Sequence, residues 1–193
     1  MRRAALTLLA TLAIATSVEA PAHAATCRDI QFADGVKVAN ADLVLNGLGL
    51  RKATLLRIKV YVAGLYLPRK TGDAAAILAA NAPWQLVLHF VRDVDAGDIR
   101  DAFQEGFQKA APEALASLQK RIAGLNAQMV DFKSGQSLTF TRNPATGVGV
   151  DVNGKGGSTL EGADFANALL AIWLGAKPPN EDLKTGLLGG ACE

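Results

Sequence analysis

Val36 and Val38 alternate with polar neighbours, and Leu43, Leu45 and Leu48 carry the pattern into Gly47-x-Gly49-x-Arg51, so residues 29–51 read as strands. Residues 55–67 form the strongest strand signal in the chain. Leu56, Ile58, Val60, Val62 and Tyr66 make one face there, with Arg57, Lys59 and Tyr61 on the other, and Pro68 closes the run. A short helix is expected over 73–81, capped near Gly72-Asp73 and ended before Pro83, and residues 84–92 read as a further strand.

The next segment changes period. Ile99, Phe103, Phe107 and Ala110 recur at spacings of four, four and three, which puts them on one helical face, with Asp95 as cap and Asp98 as its capping-box partner. Pro112 breaks that helix, and a second one runs to about Ala123 with Leu115, Leu118 and Ile122 inward. Asp98, Asp101 and Glu105 share a face and read as a solvated acidic stripe that also complements the helix dipole.

Strands return at 137–142 and 147–152 around the turn Asn143-Pro144-Ala145-Thr146-Gly147, and a second turn over 153–157 leads to Ser158-Thr159-Leu160. From Gly162 a helix carries Phe165, Leu169, Ile172 and Trp173 on one side; Gly175 stops it, and Lys177-Pro178-Pro179 bridges to a last helix over 180–188. Strands, helices, strands, helices is an α+β order, which predicts one largely antiparallel sheet covered by a layer of helices.

The first twenty-four residues stand outside this pattern. Arg2 and Arg3 precede an uncharged stretch from Ala4 to Val18, and Ala22-His23-Ala24 supplies a small-x-small cleavage site, so residues 1–24 read as a signal peptide and 25–193 as a single mature domain. A membrane anchor is the weaker reading: an apolar helix of that length rises only about 22 Å, short of the roughly 30 Å hydrocarbon core. No later stretch is long enough to span. The expected location is periplasmic or secreted.

Composition narrows the function classes. Half of the 193 residues are apolar, and Lys+Arg 20 against Asp+Glu 18 leaves the chain near neutral. That excludes a disordered chain and supplies no basic stripe for nucleic acid. Nineteen glycines without a period of three, and no sustained heptad, exclude collagen and coiled coil. The two cysteines, Cys27 and Cys192, sit at the two ends of the mature chain, and in an oxidising compartment they are expected to pair.

Catalytic signatures are sparse. His89 is the one histidine of the mature chain, so no His/Cys cluster with metal-ligand spacing exists and no metal is expected. His89 beside Phe90 on a strand reads as a satisfied, half-buried side chain. There is no Gly-x-Ser-x-Gly elbow, no Lys-Ser/Thr after the glycines at 154–157, and no dinucleotide fingerprint, so no cofactor is expected.

The segment with chemical promise is Leu45-Asn46-Gly47-Leu48-Gly49-Leu50-Arg51 followed by Lys59-Val60-Tyr61-Val62-Ala63-Gly64-Leu65-Tyr66-Leu67. Gly-x-Gly-x-Arg on a strand clears space beside the sheet and sets a permanent cation at its edge. If a pocket opens there, Arg51 would hold an anion, with the Tyr61 hydroxyl as second donor. A surface arginine and a packed core tyrosine account for the same residues. A turn centred on Leu56 would bring residues 51 and 61 opposite each other; one centred on Ala53 would separate them.

This segment resembles the chalcone isomerase-like family, in which a Gly-x-Gly-x-Arg strand precedes a Lys-x-x-x-x-Gly-x-Tyr-Leu strand. Ser137-Leu138-Thr139-Phe140-Thr141 is similar to the family's late hairpin, and Ala171-Ile172-Trp173-Leu174-Gly175 to its C-terminal end. The resemblance implies an open-faced sandwich with a ligand cleft between sheet and helices. In the plant enzyme of that family an arginine steers a phenolate onto an enone, aided by polar side chains. Matched by motif, Arg51 keeps the arginine and Tyr61 replaces a threonine, but Ile99, Gly106 and Ile172 fall near the tyrosine, asparagine and Thr/Ser. Apolar or absent side chains there neither donate nor accept.

The chain is therefore more similar to the family's non-catalytic, fatty-acid-binding branch. The implied function is an exported binder of a small acidic or aromatic amphiphile, with the acid at Arg51 and Tyr61 and a slot lined by Ile99, Phe103, Ile172 and Trp173. Two alternatives stay open: an intramolecular lyase acting on a chalcone-like enone, and a structural or interaction module whose cleft is filled by its own side chains.

Overall fold

The computed structural model describes residues 25–53 and 56–193. The signal segment expected over 1–24 lies outside them. A hairpin of β1 (Ala25–Cys27) and β2 (Ile30–Phe32) precedes seven strands: β3 (Gly35–Val38), β4 (Ala41–Ala53), β5 (Ile58–Leu67), β6 (Trp84–Phe90), β7 (Ser137–Asn143), β8 (Gly147–Val152) and β9 (Lys155–Leu160). These seven pair in sequence order, every neighbour antiparallel. Helices α1 (Ala74–Ala79), α2 (Ala96–Ala110), α3 (Leu115–Asn126), α4 (Ala163–Leu174) and α5 (Glu181–Leu187) complete the α+β fold. No helix among the described residues is long and apolar enough to cross a membrane.

The larger core lies between sheet and helices, where Leu86, Leu138 and Phe140 meet Phe107, Phe165 and Leu169. A smaller core occupies the other face, where Leu43, Leu48, Leu50, Val62 and Tyr66 pack under the β1–β2 hairpin. Both sides of β5 are thus buried, which corrects the expected division of that strand. Tyr61 belongs to the helix-facing side with Ala63 and Leu65, while Val62 and Tyr66 face the hairpin. Leu56, placed with the strand's apolar face, lies before β5 and is 82% exposed. A central strand covered on both faces reads as one apolar run, so alternation says little about which side holds the helices.

The two cysteines pair as expected: Cys27 and Cys192 form a disulfide with Cα atoms 6.0 Å apart. Three local expectations change. Asp95 precedes α2 but makes no side-chain cap bond; the Ala96 N–H donates instead to the Asp131 carboxylate at 2.9 Å. The α3 helix runs on to Asn126, three residues past the expected end. The second late turn is only Asn153-Gly154, both at positive φ, so β9 begins at Lys155 and not after the glycines.

Candidate functional site

Two irregularities in β4 build the site. Pairing with β5 shifts between Leu45 and Gly47 and again between Arg51 and Lys52. The first bulge resets the alternation, so Leu43, Leu45, Leu48 and Leu50 all pack on the hairpin side. Gly47, Gly49 and Arg51 are left on the helix side. A Cβ at Gly47 would collide with the Gly186 carbonyl, and one at Gly49 with the Leu183 carbonyl. The two glycines therefore let α5 lie directly on β4, which explains the spacing without reference to a ligand.

Next to the strip covered by α5, Arg51 pairs in register with Tyr61. A cleft of about 570 Å³ opens between this end of the sheet and α2, α4 and the α4–α5 connection. Arg51, Tyr61, Ile99, Phe103, Ile172 and Trp173 all line it. Their depths differ. Tyr61 and Trp173 are buried at 9% and 2% exposure, whereas Arg51 is half-buried. Leu88, Phe90 and Leu138 add apolar wall. Phe103 meets Trp173 edge-on with centroids 6.3 Å apart, and Phe90 meets Tyr61 edge-on at 5.9 Å.

Polar contacts orient the two central side chains. The Trp173 indole Nε1 donates to the Tyr61 hydroxyl at 2.9 Å. Burial raises the Tyr61 phenol above the ordinary range, opposed by that bond and by the Arg51 charge, so it is a proton donor at neutral pH. Arg51 donates from Nη1 to the Lys52 carbonyl and to the Pro179 carbonyl at 3.3 Å. Asn180 holds the same corner: its Oδ1 accepts from the Lys52 N–H at 3.3 Å, and its Nδ2 donates to the Leu50 carbonyl at 3.4 Å. Both groups flank the second bulge. Asp182 then bridges Lys52 at 3.3 Å and Arg57 at 2.9 Å.

The three positions near which the motif match set a tyrosine, an asparagine and a Thr/Ser also border this cleft. They are held by Ile99, Gly106 and Ile172. A Cβ on Gly106 would sit 2.8 Å from Ile172 Cγ2, so that space is already filled with hydrocarbon. The structure also brings in residues that periodicity did not: Arg92, Lys109 and Lys177, and the carboxylates of Asp98, Asp101 and Glu105. The acidic stripe of α2 is exposed, as expected of a solvated face, and it also borders the cleft mouth. His89 is on β6 away from it, with Nδ1 3.1 Å from the Ser137 hydroxyl, and burial lowers its pKa. Among the described residues no group of His, Cys, Asp and Glu could hold a metal ion.

A sheet of seven antiparallel strands with helices on one face and a cleft at its Arg–Tyr end is the architecture that the motif resemblance implied, and the chalcone isomerase-like family model matches residues 24–189. The chain belongs to the chalcone isomerase-like family. Among solved structures it is similar to the fatty-acid binding protein FAP1 of Arabidopsis thaliana, with a TM-score of 0.71 and 17% sequence identity over 86% of this chain and 96% of that one. At that identity the likeness establishes the shared fold. No curated protein sequence matches the chain.

Proposed function

We propose that this chalcone isomerase-like protein is exported, binds a small acidic amphiphile and leaves it chemically unchanged. The acid group sits at Arg51 and Tyr61, and the apolar tail lies among Ile99, Phe103, Ile172 and Trp173. The observation that carries this reading is the register pair Arg51–Tyr61 at an apolar cleft. Because the Tyr61 oxygen already accepts from Trp173, its own proton is the group left to give. Arg51 is steadied through Nη1 by two backbone carbonyls, which leaves Nε and Nη2 as the charge-assisted donors for an anion.

Binding is favoured over turnover by the same lining. Stabilising a developing oxyanion takes donors aimed at it, and losing one costs about 3 kcal/mol. Ile99, Gly106 and Ile172 offer none. The fatty-acid binding protein of the same fold supports the ligand class. Export is supported by the signal-like residues 1–24 and by the Cys27–Cys192 disulfide, a bond that persists in oxidising compartments.

The test is native mass spectrometry of the purified protein, followed by titration of delipidated protein with palmitate. Trp173 fluorescence serves as the signal once Trp84 has been replaced by Phe. Bound acid should be retained by the wild type, and Arg51→Ala should weaken palmitate binding about 10- to 100-fold, the worth of a hydrogen bond to a charged group. Unchanged affinity in Arg51→Ala would defeat the assignment. Decay of chalcone absorbance above the spontaneous rate, lost in the same variant, would establish the lyase instead.

A further inference from the structure

Asn180 is the residue that starts α5, and asparagine is a favoured helix cap because its side-chain oxygen accepts from the first free N–H groups. Here that role is left undone. The Asn180 side chain makes no cap bond and turns to β4, where Oδ1 accepts from the Lys52 N–H at 3.3 Å and Nδ2 donates to the Leu50 carbonyl at 3.4 Å. These two backbone groups bracket Arg51. Strand β3 pairs only with Ala41–Val44, so among the described residues no strand lies outside β4 beside Arg51. An uncovered edge leaves N–H and C=O groups to be met in some other way. A single side-chain amide, offering one acceptor and one donor, takes the place of the missing strand.

Neighbouring residues act on the same point. The Pro179 carbonyl accepts from Arg51 Nη1 at 3.3 Å, and Asp182 pairs with Lys52 Nζ at 3.3 Å. Earlier in the same stretch, Trp173 Nε1 donates to the Tyr61 hydroxyl at 2.9 Å. Both groups assigned to the acid head are thus held from one run of chain, the end of α4 and its connection to α5. They are not held alike. Trp173 touches the Tyr61 hydroxyl itself, whereas Asn180 reaches the backbone on either side of Arg51 and acts on the guanidinium through it. Pairing with β5 shifts register immediately after Arg51, and a bulge re-aims the side chains beside it. The ladder alone therefore does not set the direction of Arg51, and a clamp on its flanking groups does.

Building on the binding reading above, we infer that Asn180 is a positioning residue for Arg51: its amide fixes the strand on both sides of that residue, so that the guanidinium is presented to an acid group in the cleft. A helix cap is forgone for it. The acid end of the ligand depends on Asn180, and the tail does not. A merely structural role would move the affinities of charged and uncharged ligands together.

The experiment titrates delipidated full-length mature protein, in the Trp84→Phe background, with two probes of matched chain: dodecanoate and the uncharged dodecanol. Asn180→Ser keeps a side chain able to cap α5 but too short to span both backbone groups of β4. It should weaken dodecanoate about three- to tenfold, the worth of an ordinary hydrogen bond, and shift dodecanol by less than about twofold. Asn180→Ala should show the same selective loss, with a lower Tm because the cap is gone as well. Circular dichroism melts of each variant keep a folding defect from passing as a binding effect. A double-variant cycle completes the test. In the Arg51→Ala background the Asn180→Ser penalty should vanish, since the cation to be positioned is no longer there. Equal weakening of both probes, a penalty that persists without Arg51, or unchanged dodecanoate affinity in both Asn180 variants overturns the positioning role. If dodecanoate nonetheless weakens in Arg51→Ala, the binding reading stands without it; an Arg51→Ala variant that binds dodecanoate like the wild type removes both.

Discussion

Two arginines lie on the helix-facing side of the same sheet, Arg51 on β4 and Arg142 on β7, and each borders a hollow of similar size, about 570 and 580 Å³. Each also gives Nη1 to the carbonyl of the residue that follows it. Their surroundings differ. Arg142 is 4% exposed, its Nη1 bond measures 3.1 Å, and its Nη2 donates to Asn81 Oδ1 at 3.2 Å. Its hollow is lined by loop residues such as Pro144, Ala145, Thr146 and Gly162 and has no aromatic wall. Arg51 is half-buried, touches one further carbonyl, and faces hydrocarbon from Phe103, Ile172 and Trp173. Volume does not tell the two hollows apart; the chemistry of the wall and the spare hydrogen-bonding capacity of the cation do.

The largest asymmetry between the two ends should come from the disulfide. Cys27–Cys192 ties the hairpin that covers β4 and β5 to the segment that follows α5. Nothing equivalent holds the β7–β9 end. Reduction is expected to cost about 3–5 kcal/mol in the loop-entropy account, and each kcal/mol lowers Tm by roughly 2–4 °C for a chain of this size. In hydrogen exchange on the reduced protein, α5 and β1–β2 should lose protection before β7 and β8. Uniform loss across the sheet would show that the clasp does not favour the cleft end.

A crossed pair of variants sharpens the contrast. Arg142→Ala leaves the Asn81 amide oxygen without its donor and removes a buried stem, so it should destabilise by about 2–3 kcal/mol and leave palmitate affinity unchanged. Arg51→Ala should do the reverse, with a Tm close to wild type and palmitate affinity weakened about 10- to 100-fold. Chemical denaturation and the Trp173 titration read the two effects separately. If Arg142→Ala also releases the ligand, the two hollows communicate and the division fails.

The sequence made part of this readable. Arg51 and Tyr61 stand opposite each other, as a register centred on Leu56 requires, although the shift after Arg51 sets the next pairs, Lys52–Lys59 and Ala53–Ile58, off that register. Helix starts and stops followed Pro112, Gly175 and the Lys177-Pro178-Pro179 bridge. Other features had no local signal. The bulge at Asn46 depends on that side chain being held from both sides: Nδ2 donates to the Leu187 carbonyl at 2.7 Å, and Oδ1 accepts from the Thr71 N–H at 2.7 Å. Both partners are remote in sequence. The acidic stripe of α2 is exposed, as its pattern suggests, but periodicity fixes only which residues share a face and leaves open that this face borders the cleft. The cap at Ala96 is supplied by Asp131, which no reading of the helix's own residues anticipates.

The smallest expected effect lies at the Arg142 end, where Asp164 at the start of α4 holds Arg121 through two oxygens, each 2.6 Å from a guanidinium nitrogen. The Arg121 side-chain bond is the main cause holding the Asp164 carboxyl below its ordinary value, while burial acts in the opposite sense. A carboxyl with a lowered folded-state pKa binds fewer protons folded than unfolded. Its contribution is therefore present above the unfolded pKa, about 3.9, and is lost as pH falls through the folded value. Asp164 is 57% exposed at its side chain, so solvent screening keeps the pair below about 1 kcal/mol. Asp164→Asn should lower stability by that amount at pH 7, and the difference from wild type should shrink toward zero at pH values below the ordinary carboxyl range. Because the pair is far from the cleft, palmitate affinity should not follow it. An affinity that declined together with the Asp164 titration would tie this end of α4 to Trp173 at the other, and the two hollows would have to be treated as one coupled element.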